Sequence, residues 1–130
     1  MTMILKNQLY QIEHSQESDG KKQFTISLLK ECPIYRAHFP GQPITPGVCI
    51  VQIAQELLGQ VVGHTLEISE VKNVKFLHVL SPIDNPVVDI VFTAIETSGE
   101  SVSAKAEVKE ATTMFTTVSF VCQPVKRSTH

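Results

Sequence analysis

Residues 38–62 read His38-Phe39-Pro40-Gly41-Gln42-Pro43-Ile44-Thr45-Pro46-Gly47-Val48, continued by Cys49-Ile50-Val51-Gln52-Ile53-Ala54-Gln55-Glu56-Leu57-Leu58-Gly59-Gln60-Val61-Val62. Proline fixes φ and carries no N–H, while glycine opens conformations closed to other residues. The first half is therefore a stiff turn with a histidine at its head. The second half is helical: Val48, Ile50, Val51, Ile53, Ala54, Leu57, Leu58, Val61 and Val62 recur at spacings of three and four. They cover most of the circumference, so the helix over 47–62 is expected to be buried on several sides. Gly63 is placed to end it. A helix that starts at Gly47 points its unused N–H groups and positive dipole end back toward His38. A base beside oxyanion donors is the minimum equipment for removing a proton next to a carbonyl.

Strands are expected on both sides of this helix. Leu5 to Ile12 reads as a strand or as a short helix feeding one. Ser15 to Lys22 is polar with Asp19-Gly20 near its centre, a hairpin signal. Gln23 to Leu28 alternates as a half-buried strand should. Residues 32–46 read as a loop. Beyond the helix, Ile68–Leu80, Val87–Ile95, Ser101–Val108 and Thr112–Cys122 read as strands, separated by Ser81–Pro86 and Ser98-Gly99-Glu100. Lys126–His130 reads as a frayed tail. One long apolar helix among antiparallel strands predicts an α+β fold in which a sheet curls around the helix.

The 130 residues suit a single domain, 1–130. A net charge of −2 argues against a nucleic-acid partner. No apolar run approaches the roughly 20 residues of a membrane span, and Met1–Asn7 lacks a secretory signal. Cys32, Cys49 and Cys122 are odd in number, far apart and without metal spacing. They read as reduced thiols in a cytoplasmic protein.

The order His-Phe-Pro-Gly-x-Pro-x-x-Pro-Gly-Val, followed by an apolar helix, resembles the β-hydroxyacyl-acyl-carrier-protein dehydratases of the FabA/FabZ type. The resemblance implies the hotdog fold, a curled antiparallel sheet around one central helix. It also implies elimination of water from a 3-hydroxyacyl thioester held on an acyl carrier protein, with no cofactor and no metal. His38 takes the place of the family's base; imidazole, with an ordinary pKa of about 6.5, suits that task. The Gly47 backbone N–H takes the place that binds the thioester oxygen. Phe39, Pro46, Val48 and Phe76 would line the substrate's path. The resemblance further implies at least a dimer, with two sheets joined edge to edge and each site built from two chains.

Two positions depart from the family. Five residues beyond Gly47 the dehydratases carry Glu or Asp, projecting from the partner's helix; here Gln52 stands there. Glutamine keeps the reach but cannot give or take a proton. Glu56, one turn on, is offset by about 5.4 Å and reads as a polar residue at a dimer seam or solvent edge. Downstream the family shows Lys-Phe-Arg-Arg-Pro-Val-x-Pro-Gly-Asp. Here Lys75-Phe76-Leu77-His78-Val79-Leu80-Ser81-Pro82-Ile83-Asp84 keeps Phe76, Pro82 and Asp84 but replaces the basic pair. Arg36, Lys72 and Lys75 are the remaining candidates to meet an acidic carrier, and an ordinary solvated role suits them equally. His14, His64, His78 and His130 read as structural or surface residues. Three functions follow: a dehydratase weakened by Gln52, an acyl thioesterase on the same fold, and a non-catalytic or site-completing subunit of a hetero-oligomeric dehydratase.

Overall fold

A computed structural model describes residues 4–37 and 41–125. Strands β1 (Tyr10–Ser18) and β2 (Lys21–Leu28) lead into a short helix α1 (Pro33–Ala37) and the long helix α2 (Gly47–Val62). Then follow β3 (Leu66–Phe76), β4 (Val87–Ser98), β5 (Ser101–Glu110) and β6 (Thr113–Pro124). The six strands form one antiparallel sheet in the order β1-β2-β4-β5-β6-β3, curled around α2. This is the expected α+β hotdog arrangement.

Strand alternation supplies the inner face. Phe24, Ile26 and Leu28 of β2 are buried, as are Val88, Ile90 and Phe92 of β4. Val102, Ala104, Ala106 and Val108 on β5 and Val118, Phe120 and Cys122 on β6 continue the core. Helix α2 answers with Cys49, Ile50, Ile53, Ala54, Leu57 and Leu58. Each large aliphatic side chain so buried contributes about 1.5–3 kcal/mol. One stripe of α2 stays uncovered: Val48 is exposed, and Val51, Gln52, Gln55 and Gly59 are only half-buried. All three cysteines are buried free thiols.

The hairpin between β1 and β2 turns on two residues only. Asp19 (φ 53°) and Gly20 (φ 76°) both lie in the left-handed region, as a type I′ turn requires. Ser15–Ser18, expected within a polar turn, therefore extends β1 and pairs with β2 out to Ser18↔Lys21. The stretch from Leu5 tightens into a turn, and the strand begins at Tyr10. Strand β3 stops at Phe76 rather than Leu80. The N–H groups of Leu77 and His78 both donate to the Phe115 carbonyl, which ends the ladder.

Two devices hold the N-terminal end of α2. The Thr45 N–H donates to the Leu80 carbonyl at 2.8 Å. Its hydroxyl shares a buried 2.9 Å hydrogen bond with the Tyr35 hydroxyl, presented by α1. The segment read as a plain loop thus contains a helix that clamps the residue before Pro46. Burial pushes the Tyr35 phenol up to about 12, against a partial lowering by the Thr45 bond. At the other end Gly63 adopts φ 79° and closes α2 by donating its N–H to the Gly59 carbonyl.

Two outcomes are expected. Alanine normally favours a helix interior over glycine by about 1 kcal/mol, yet a Cβ on Gly59 would stand 2.7 Å from the His64 backbone carbonyl oxygen. Gly59→Ala should therefore destabilise the fold by about 1–3 kcal/mol, read as a lower urea midpoint at unchanged slope. Tyr35→Phe should cost about 1 kcal/mol near neutral pH. Because the folded phenol titrates above its ordinary value, Tyr35's contribution is lost as pH rises from about 10 toward 12. Denaturation curves of the two proteins should accordingly converge over that range.

Candidate active site

Proline at 46 (φ −60°, ψ 143°) delivers the chain to α2 in extended geometry, with no side chain capping the helix. The first helical bonds run from the Cys49 and Ile50 N–H groups to the Pro46 carbonyl. The N–H groups of Gly47 and Val48 precede them and are not used by the helix. Glycine at 47 has a steric cause. A Cβ there would lie 2.7 Å from Cζ of Phe76, whose ring packs on the helix start from the end of β3. The structure thus brings Gly47, Pro46 and Phe76 together. Val48, 75% exposed, and Phe76, 53% exposed, form an apolar surface beside that helix end with Leu77 and Val79. His38 and Phe39 lie outside the described residues.

Gln52 lies elsewhere. Five helical residues turn a side chain by roughly 140° and carry it about 7.5 Å along the axis. Gly47 and Gln52 of one chain therefore face different ways. Gln52 opens instead onto a groove of about 810 Å³, walled by Gln55, Glu56, Gly59, Lys6 and Leu66. Its Nε2 donates to Oε2 of Glu56 at 2.9 Å.

Glu56, expected as a polar residue at a seam or solvent edge, is half-buried at this groove and is an anchor as well. Its carboxylate accepts four bonds: from the Leu5 N–H (2.7 Å), the Lys6 N–H (2.9 Å), the Tyr10 hydroxyl (3.0 Å) and Gln52. It pins the N-terminal segment against α2 through Gln52's own helix face. Burial and the neighbouring Glu56 carboxylate together push the Tyr10 phenol well above its ordinary range. The spacing of Gln52 and Glu56 at i and i+4 was the available sequence signal. The partners at 5, 6 and 10 left none.

Among the charged candidates, Arg36 is exposed and lies 4.0 Å from Glu31, a contact of little energetic weight in water. Lys72 and Lys75 are exposed on β3. The His78 ring stands edge-on to Phe115, with centroids 6.5 Å apart, a packing role. His14 and His64 are exposed. Among the described residues no helix is long and apolar enough to cross a membrane.

Comparison with known proteins agrees with this architecture. The model of the ApeI-like family, described as ApeI dehydratase, matches residues 13–117. The 3-hydroxyacyl-[acyl-carrier-protein] dehydratase FabZ of Fusobacterium nucleatum is 27% identical over 107 residues, spanning 78% of this chain and 73% of that protein. Among solved structures, the dehydratase heterocomplex ApeI:P of Xenorhabdus doucetiae superposes with a TM-score of 0.65 at 15% identity, covering 86% of this chain and 96% of that one. A putative thioesterase from Lactococcus lactis gives 0.63 at 16% identity, over 98% and 100%. These two likenesses show the fold alone. The match over residues 13–117 covers most of the chain, and the protein belongs to the ApeI-like dehydratases, a FabZ-type hotdog dehydratase family.

Proposed function

We propose that this protein acts on 3-hydroxyacyl thioesters carried by an acyl carrier protein, eliminating water to give the trans-2-enoyl thioester. The observation that carries the reading is the uncapped start of α2 at Gly47, six residues after the end of the His-Phe-Pro-Gly run at Gly41. In this reading His38 takes the α-proton. The Gly47 N–H receives the charge that develops on the thioester oxygen. The β-hydroxyl then departs, and must acquire a proton to leave as water. Phe39, Pro46, Val48 and Phe76 flank the acyl chain, while Arg36, Lys72 and Lys75 meet the carrier.

Gln52 sets the limit. It can hold the β-hydroxyl or a water but supplies no proton. The rotation between Gly47 and Gln52 supports a site shared by two chains, with the histidine side from one and Gln52 from the other. Strand β3 is the edge suited to join them: it exposes Val71 and Phe76, whereas the outer half of β1 is polar. A second reading is favoured by the heterocomplex among the structural relatives. There this chain pairs with a related dehydratase chain that keeps the carboxylate, and His38 faces that group in one complete site. Both readings place the protein in the cytoplasm.

Light scattering should return the mass of at least two chains; a monomer at micromolar concentration would overturn the shared site. The isolated chain should convert a carrier-bound 3-hydroxyacyl thioester slowly, and His38→Ala should abolish that turnover while leaving the fold intact. Gln52→Glu should raise the rate by about tenfold or more, toward the 10²–10⁴ typical of general acid–base groups. Wild type turning over as fast as Gln52→Glu would show that glutamine suffices. Release of free thiol without enoyl product would establish the thioesterase reading instead.

A further inference from the structure

We propose that Thr116 is a substrate-recognition residue: its buried hydroxyl, one strand in from the sheet edge and facing the start of α2, pairs with the 3-hydroxyl of the acyl chain. This inference rests on the dehydratase-like reading above and adds to it a residue from the chain that supplies Gly47.

Among the described residues two polar side chains are buried, Thr45 at 3% exposure and Thr116 at 0%. Thr45 is satisfied, since its hydroxyl pairs with that of Tyr35 at 2.9 Å. Thr116 Oγ1 is buried with no hydrogen-bond partner. Taking a hydroxyl out of water without replacing its bond is unfavourable. Strand propensity does not account for it, because valine has the same shape, favours a strand equally and carries no polar atom. An orphan kept at a cost to folding calls for a partner beyond the folded chain.

The ladder tells where that partner must come from. Thr116 stands opposite Phe76 of β3 and Val108 of β5, and residues paired in this way project from the same face of a sheet. Val108 is in the core, and the Phe76 ring reaches the start of α2, 2.7 Å from where a Cβ on Gly47 would stand. Thr116 therefore faces the first turn of α2 from the sheet side. Strand β3 is the sheet edge and β6 its neighbour, so the half-exposed Phe76 lies between Thr116 and that edge. Because Thr116 is fully enclosed, the Phe76 ring must turn aside as an acyl chain enters. A thioester whose carbonyl oxygen reaches the Gly47 N–H carries its hydroxyl two carbons further along. A threonine hydroxyl donates one bond and accepts two, and so matches a second hydroxyl in either sense. A buried group of this kind also discriminates, since an acyl chain without the hydroxyl leaves it unpaired.

Binding to the full chain tests the proposal without requiring turnover. The probes are a 3-hydroxyacyl thioester and the saturated acyl thioester of equal length, both on pantetheine. Wild type should bind the hydroxylated thioester about three- to tenfold more tightly, the scale of one hydrogen bond. Thr116→Val should erase that preference, with a urea midpoint at or above that of wild type. Thr116→Ser keeps the hydroxyl and loses a methyl, so it should retain the preference and lower the midpoint. A preference that survives in Thr116→Val would overturn the proposal. So would an equal loss of affinity for both thioesters, which would put the hydroxyl on the carbonyl, and so would a lower midpoint in Thr116→Val, the mark of a structural bond. Wild type that binds both thioesters equally would overturn the role of Thr116 alone, leaving turnover to judge dehydration. Wild type that binds neither would overturn the dehydratase-like reading as well.

Discussion

A helix of sixteen residues that is apolar around most of its circumference must be enclosed. Everything else in this protein follows from how that is done. The sheet curls over α2 and covers Cys49, Ile50, Ile53, Ala54, Leu57 and Leu58. A single 130-residue chain runs out of sheet before the circle closes, and the stripe from Val48 through Gln52 and Gln55 to Gly59 stays partly open. Gln52 lies on this stripe and Gly47 at its end. Enclosure is thus complete over the core face of α2 and incomplete along this stripe.

Beside that stripe stands a polar cluster built on the half-buried Glu56. A carboxylate in such surroundings is costly unless its oxygens are satisfied, and Glu56 is satisfied four times over. Its bonds join three separate parts of the chain: the N-terminal turn, the first strand and the central helix. Gln52 completes the set, so this side chain is also part of the protein's scaffold. This gives glutamine at 52 a physical reason beyond chemistry, since a second carboxylate there would repel Glu56.

The helix was legible over its full length because apolar spacing and Gly63 both mark it, and Gly47–Val62 is what forms. The strands were legible from β-branched alternation and the short turns between them; the order that sets β3 beside β6 was not. Legibility failed where polarity misled: Ser15–Ser18 looked like a turn, yet a two-residue Asp19-Gly20 turn leaves them paired. It failed again where a partner lies far along the chain. Nothing near Glu56 announces the N–H groups of Leu5 and Lys6, and nothing near Thr45 announces Tyr35. Gly47 was read for its N–H; its contact with the Phe76 ring depends on where β3 ends.

The central claim is that histidine and the position-52 side chain act on one substrate from two different chains. Mixed dimers test it most directly. The double variant His38→Ala/Gln52→Glu carries the acid but no base, and wild type carries the base but no acid. Subunits exchanged between the two should form one site in which His38 faces the introduced carboxyl. The account predicts that the mixture dehydrates a 3-hydroxyacyl thioester faster than either protein alone. A rate equal to the average of the two unmixed proteins, with exchange verified by mass, would contradict it.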